Sequence, residues 1–203
     1  MSDEGTDQTR RQLLAITTGL GLAGTAVASI PFVLSMQPSA RARALGAPVE
    51  VDISKLEAGQ RLVVEWRGKP VWIVNRTRKM LDTLPGMARK LVDPSSDASE
   101  QPSYATNEWR SIKPEILILV GICTHLGCSP LAKFVEGAAS GLGEDWPGGF
   151  FCPCHGSFFD LAGRVYKGVP APSNLVVPPH AYLSDTRIIV GVSPDGVEKN
   201  RKA

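Results

Sequence analysis

Two short stretches limit what this chain can fold around: Cys123-Thr124-His125-Leu126-Gly127-Cys128 and Cys152-Pro153-Cys154-His155-Gly156-Ser157. Each sets a thiol and an imidazole within a few residues, and together they hold all four cysteines and two of the three histidines. Sulfur and nitrogen donors converging from two loops make a metal or cluster site. A structural zinc would draw the spare thiols into a set of four cysteines, or of three cysteines and a histidine, and its usual spacings keep paired histidines together rather than one in each loop. A [2Fe–2S] centre of mixed ligation takes two thiolates on one iron and two imidazoles on the other, which Cys123, Cys152, His125 and His155 can supply. Four thiols permit three pairings, so counting alone does not decide which are joined.

Cys-Thr-His-Leu-Gly-Cys followed by Cys-Pro-Cys-His-Gly-Ser resembles the double signature of the Rieske iron–sulfur protein of the cytochrome bc1 complex, ubiquinol–cytochrome c reductase. The resemblance extends to Gly168-Val169-Pro170-Ala171-Pro172 and to the amino-terminal anchor and linker. It implies one [2Fe–2S] Rieske cluster held by Cys123, His125, Cys152 and His155, with Cys128 and Cys154 joined in a disulfide that clamps the loops. Rieske ferredoxins and the Rieske domains of ring-hydroxylating oxygenases lack that extra pair. The same resemblance makes His155 catalytic: it hydrogen-bonds the quinol hydroxyl at cytochrome b and takes the proton while the cluster takes one electron. The other electron goes to a cytochrome b haem, and the head then swings to reduce cytochrome c1. His125 is the other exposed ligand and the lesser proton acceptor.

Neighbouring residues take roles from the same resemblance. Ser157 matches the family serine whose hydroxyl donates to a bridging sulfide and raises the potential. Phe159 stands where many members carry a tyrosine that donates to a ligand sulfur, so a lower potential is expected here. Leu126 and Gly127 resemble the apolar tip that docks on cytochrome b, and Pro170 and Pro172 belong to a loop that covers the cluster. Imidazole ligation suits such a carrier, because it lifts Rieske potentials to about −150 to +300 mV against about −400 mV for plant-type ferredoxins. His180, with no thiol near it in sequence, reads as an ordinary surface or strand-end histidine.

The amino terminus reads as a membrane anchor. Residues 1–12 are polar, and Thr9-Arg10-Arg11-Gln12-Leu13-Leu14 resembles a twin-arginine export signal, a route that carries folded, cofactor-loaded domains. Leu13 to Met36 holds no charged residue and would make about 36 Å of helix, enough to span a bilayer. That is longer than a cleaved signal's apolar region, so an uncleaved span over 13–36 is expected, while the Ala-x-Ala steps at Ala40–Ala44 leave a cleavage site open. Gly19, Gly21 and Gly24 match a dinucleotide fingerprint only by letters, since no strand precedes them. They suit close approach of membrane helices instead. Residues 37–48, Ala-rich with a proline near each end, read as a linker, and the resemblance makes them a hinge.

Residues 49–203 read as the head. Strands are expected at Val49–Ile53, Arg61–Trp66, Pro70–Asn75, Glu115–Ile122, Gly163–Tyr166, Leu175–Val177 and Arg187–Val192. Thr77–Lys90 has a helical look broken at Pro85-Gly86, 92–114 and 129–149 read as loops, and the tail from Pro194 as loose. The fold class is therefore mainly β and antiparallel, and the resemblance makes it a Rieske-type head with a cluster subdomain near 120–176, tethered to one transmembrane helix. A net charge of +2 and no basic run interleaved with aromatics give no sign of nucleic-acid binding. A disulfide implies an oxidising compartment, here the periplasmic side of a bacterial inner membrane.

The expected function is the iron–sulfur subunit of quinol–cytochrome c reductase, active only within its complex, which is expected to be dimeric. Its partners would be cytochrome b, cytochrome c1, ubiquinol and the lipid bilayer. Two other readings stand beside it. One is the Rieske small subunit of a periplasmic molybdenum oxidase such as arsenite oxidase, and the other a zinc module whose ligands only staple loops.

Overall fold

The computed structural model describes residues 3–196. Met1, Ser2 and the charged tail beyond Gly196 lie outside the described residues; Pro194–Gly196 has helical backbone. The chain divides into two compact units, one ending at Ala44 and one beginning at Leu45.

The first unit holds one long helix, α1 (Asp3–Ser35), and all but the last residue of a short helix, α2 (Ala40–Leu45). The polar opening and the apolar span are thus a single helix rather than two segments, and Pro31 lies inside it. Its stretch Asp7–Ser35 is long and apolar enough to cross a membrane, and Leu13, Leu22, Phe32 and Val33 stand exposed along it. Where a linker is expected over 37–48, six residues coil. Ser39 caps them, its hydroxyl accepting the Ala42 N–H at 3.1 Å, and Ala-Arg-Ala-Arg-Ala-Leu favours helix.

The second unit is antiparallel β. Strands β1 (Val49–Asp52), β2 (Arg61–Trp66) and β3 (Lys69–Asn75) precede helix α3 (Arg78–Asp82), and β4 (Ile116–Val120) follows. Then come β5 (Leu131–Lys133), β6 (Gly149–Cys152), β7 (Ser157–Phe159), β8 (His180–Tyr182) and β9 (Arg187–Val190). They form three sheets, ordered β1-β9-β8, β2-β3-β4 and β5-β6-β7. The β2–β3 hairpin turns on Arg67 and Gly68, both at positive φ (53° and 69°), which matches the right-handed twist of the flanking strands.

The sheet β2-β3-β4 is apolar on both faces, and alternation sorts its side chains between two interiors. Val71, Ile73, Ile116 and Ile118 face Val51, Ile188 and Val190 of the β1-β9-β8 sheet. Trp72, Val74, Leu117 and Leu119 face a lobe that holds Cys123, Phe150, Cys152 and Phe159. The middle sheet is thus the common wall on which that lobe rests.

Several expected strands resolve differently. Gly163–Tyr166 contributes only single bridges, Phe159 to Val165 and Leu91 to Tyr166. Leu175–Val177 is extended chain tied by isolated bonds, among them Leu175 N–H to Gly163 O (2.8 Å) and Val177 N–H to Glu100 O (3.2 Å). Val165, Leu175 and Val177 are apolar because they line the lobe's interior, not because they extend a sheet. The 129–149 stretch contains β5 and a 3-10 turn, and Thr77–Lys90 splits into α3 and a 3-10 segment starting at Pro85. His180 opens β8 and is only 1% exposed, so it is a strand-end residue but not a surface one.

Candidate metal centre

The two donor loops are built alike. The first leaves β4 through Gly121, where a Cβ would stand 2.2 Å from the Trp72 indole, so only glycine lets the chain cross the ring. The second joins β6 to β7, closing on the Cys152–Ser157 pair. In each loop the leading cysteine's carbonyl accepts the N–H of a glycine four residues on: Gly127 to Cys123 O (3.1 Å) and Gly156 to Cys152 O (3.0 Å). Both glycines hold positive φ, 86° and 75°, which a side chain would resist. Cys123 N–H also bonds Cys128 O at 2.7 Å, and a Cys128–Cys154 disulfide joins the loops.

The donors divide by depth. Cys123 and Cys152 are unpaired thiols, each 2% exposed. Burial pushes the Cys123 thiol up and the facing Cys152 adds to this, while the His125 N–H and the Ser157 hydroxyl pull the other way. The imidazoles lie outside: His155 is exposed and His125 half-buried, their rings perpendicular with centroids 4.8 Å apart. The Cys152 sulfur lies within 4.8 Å of both disulfide sulfurs, but these have no thiolate left to give. Two buried thiols and two outer imidazoles fit a [2Fe–2S] group of mixed ligation, thiolates on the inner iron and imidazoles on the outer.

The other expected site residues gather around this set. Leu126 projects at the tip, 71% exposed, with Gly127 beside it. Ser157 is fully buried and its Oγ accepts the Ala171 N–H at 3.0 Å. Phe159 is fully buried in the apolar cluster that contains both thiols. Pro170 and Pro172 are exposed; the residue of that segment that enters the interior is Ala171, 2% exposed. Thr124 ties the first loop to the same stretch by donating to Ser173 O at 2.6 Å.

Around the turn after β7 lies a network that the sequence reading does not anticipate. Arg76, Arg110 and Arg164 are each at most 2% exposed and converge on the turn that follows β7. Arg76 donates to Leu161 O (3.0 Å), and Arg110 to Ala162 O (3.2 Å) and Gly163 O (3.3 Å). Arg164 pairs with Asp160 at 2.8 Å and reaches Leu84 O and Pro94 O at 3.0 and 3.1 Å. Burial lowers Arg76 to about 9 and Arg110 to about 10, with Asp160 opposing in both. Asp160 and Arg164, four residues apart directly after the second motif, are the one sequence pair of opposite charge here, and a turn rather than a helix brings them together.

Residues 96–180 match the model of the Rieske [2Fe-2S] domain, and residues 1–39 that of the "Ubiquitinol-cytochrome C reductase Fe-S subunit TAT signal". The chain is 58% identical over 192 residues to the ubiquinol-cytochrome c reductase iron-sulfur subunit of Allochromatium vinosum, spanning 94% of this chain and 92% of that one. The subunits of Bradyrhizobium diazoefficiens (44% identity, 90% and 94% covered) and Rhodospirillum rubrum (43%, 94% and 96%) are also similar. The chain belongs to the family of ubiquinol–cytochrome c reductase iron–sulfur subunits. As a Rieske iron–sulfur subunit it carries a [2Fe–2S] cluster and acts in an oxidoreductase complex, which sets aside both the zinc module and the molybdenum-oxidase subunit. Its apolar helix and the matched signal fit a membrane-anchored subunit.

Proposed function

We propose that this subunit couples removal of a proton from ubiquinol, by His155, to transfer of one electron toward cytochrome c1. The observation that carries the reading is the segregation of the donors, with Cys123 and Cys152 buried and His155 exposed at the tip. When bound through Cys123, Cys152, His125 and His155, the cluster supplies a one-electron acceptor whose potential is raised by its imidazole ligands. His155 offers its outward ring nitrogen to the quinol hydroxyl at cytochrome b and holds the proton there. Leu126 and Gly127 dock that tip on an apolar surface of cytochrome b and keep water from the hydrogen bond. Ser157 donates to sulfur and tunes the potential, and residues 37–48 serve as the hinge. The head lies on the periplasmic side of the inner membrane, tethered by a single span in a dimeric complex.

Two measurements test this. The midpoint potential of the loaded subunit should fall with rising pH, approaching about 59 mV per unit where one proton accompanies one electron. A potential independent of pH into the alkaline range would remove the proton from the reading. Leu126→Ala in the assembled complex should slow quinol oxidation while leaving the potential in place. Equal loss of both would make Leu126 a shield of the cluster rather than a docking residue.

A further inference from the structure

We propose that the backbone N–H of Ala171 is the positioning group that commits the Ser157 hydroxyl proton to the sulfur of the centre. A serine hydroxyl has one proton to give and two lone pairs with which to accept. Here one lone pair is filled by the Ala171 N–H at 3.0 Å, between residues 2% and 0% exposed, so no water competes. A hydroxyl whose oxygen is engaged as acceptor turns its proton away from that donor. Ser157 stands opposite the buried Cys152 in the β6–β7 pairing, and its hydroxyl pulls the buried Cys123 thiol down, so ligand sulfur is the acceptor at hand for that proton.

Within the two donor loops no other hydroxyl is free to share the task. Thr124 gives its proton to Ser173 O at 2.6 Å, and Phe159 has none to give. Ser157 is thus the side-chain hydroxyl the loops direct at the centre, and its direction is set by one amide of the 168–172 segment. Val169, packed against the lobe's interior, and the buried Ala171 hold that amide in place. Small movements of the segment therefore reach the potential through a hydrogen bond rather than by uncovering the cluster.

The inference rests on the tuning role given to Ser157, and the experiment separates the two. In the full-length, cluster-loaded chain, Ala171 is replaced by lactic acid, which exchanges the N–H for an ester oxygen and adds no side-chain atom. The reduced-to-oxidised ratio is then read at fixed ambient potential by electron paramagnetic resonance. We expect a shift of about three- to tenfold toward the oxidised form, the size of one buried hydrogen bond. We also expect no further shift when the ester is placed in a Ser157→Ala chain. If Ser157→Ala lowers the potential and the ester does not, the positioning role is overturned while the tuning role stands. If Ser157→Ala leaves the potential unmoved, the tuning role fails, and the inference with it. Retained resonance lines in each chain report that the cluster and its loops are intact.

Discussion

Ile118 and Leu119 are neighbours on β4 and equally buried, yet they face two different kinds of interior. Ile118 looks into a plain sandwich, in which apolar side chains from two sheets interdigitate. Leu119 looks into the lobe that carries the centre, whose own sheet has strands of only three or four residues. Such strands cannot fix two ligand loops by ladder hydrogen bonds alone. The lobe is held instead by points: a disulfide, three buried guanidiniums of which Arg164 is ion-paired with Asp160, and Asn174, whose side chain bonds Val165 N (2.8 Å) and Asp93 O (2.9 Å). Periodic burial makes a platform, and discrete polar contacts make the site on it.

The largest effect should come from removing the carboxylate that pairs with Arg164. Asp160→Asn leaves Arg164 buried without its ion pair and deprives Arg76 and Arg110 of a nearby opposite charge. Breaking such a pair from one side costs about 3–5 kcal/mol. Denaturation followed by visible and far-ultraviolet circular dichroism should show the cluster signal lost before the sheet signal. Coincident loss at an unchanged midpoint would mean that the backbone carbonyls alone satisfy the three arginines.

Truncating the two β4 neighbours sharpens the comparison directly. Ile118→Ala and Leu119→Ala should each destabilise the head by about 2–5 kcal/mol, because both leave a cavity in a closed interior. Their signatures should part at the cluster. Leu119→Ala should broaden or shift the resonance lines of the centre, and Ile118→Ala should leave them unchanged. Identical spectra would argue that the wall between the interiors insulates the loops from either change.

A smaller effect is expected within the lobe itself. Phe159→Tyr sets a hydroxyl in the apolar cluster that contains both thiols. If it donates to a ligand sulfur it stabilises the more negative reduced state and raises the midpoint, by ~40 mV for a hydrogen bond of about 1 kcal/mol. An unchanged or lowered midpoint in a redox titration would mean that the added oxygen finds no sulfur to donate to.

The same division explains what was legible in the sequence. β2, β3 and β4 declare themselves because their residues are β-rich runs whose period matches a strand. The donor loops declare themselves because soft ligands at short spacing have few other uses. Gly163–Tyr166 and Leu175–Val177 read as strands but are not, because β-branched and aromatic residues that line an irregular lobe look the same as those that build a sheet. Arg76, Arg110 and Arg164 are silent because lone arginines are usually solvated, and what makes these different is where distant carbonyls meet them. Residues 37–48 show their prolines more plainly than the Ala-rich turn that Ser39 caps.

His180 sits where the two regions meet and gives the smallest effect and the finest test. It opens β8 of the outer sheet, while Tyr104, which packs on the lobe's interior, accepts its N–H at 2.8 Å and donates to its carbonyl at 2.9 Å. Burial holds the imidazole below its ordinary value, opposed by the contact of Nδ1 with Pro178 O at 2.8 Å. Below the unfolded pKa of about 6.5 the unfolded chain therefore takes up a proton that the folded chain refuses. Stability is full above that value and falls as pH drops from it toward the depressed folded pKa, by at most about 1.4 kcal/mol per unit for one proton. His180→Asn keeps a donor near Pro178 O and removes the titration, so its stability should depend less on pH between neutrality and mild acid. If lobe and sandwich unfold together, the cluster signal and the sheet signal should lose that slope equally. If only the sheet signal changes, the Tyr104 bridge does not bind the lobe to its platform, and the two interiors are independent.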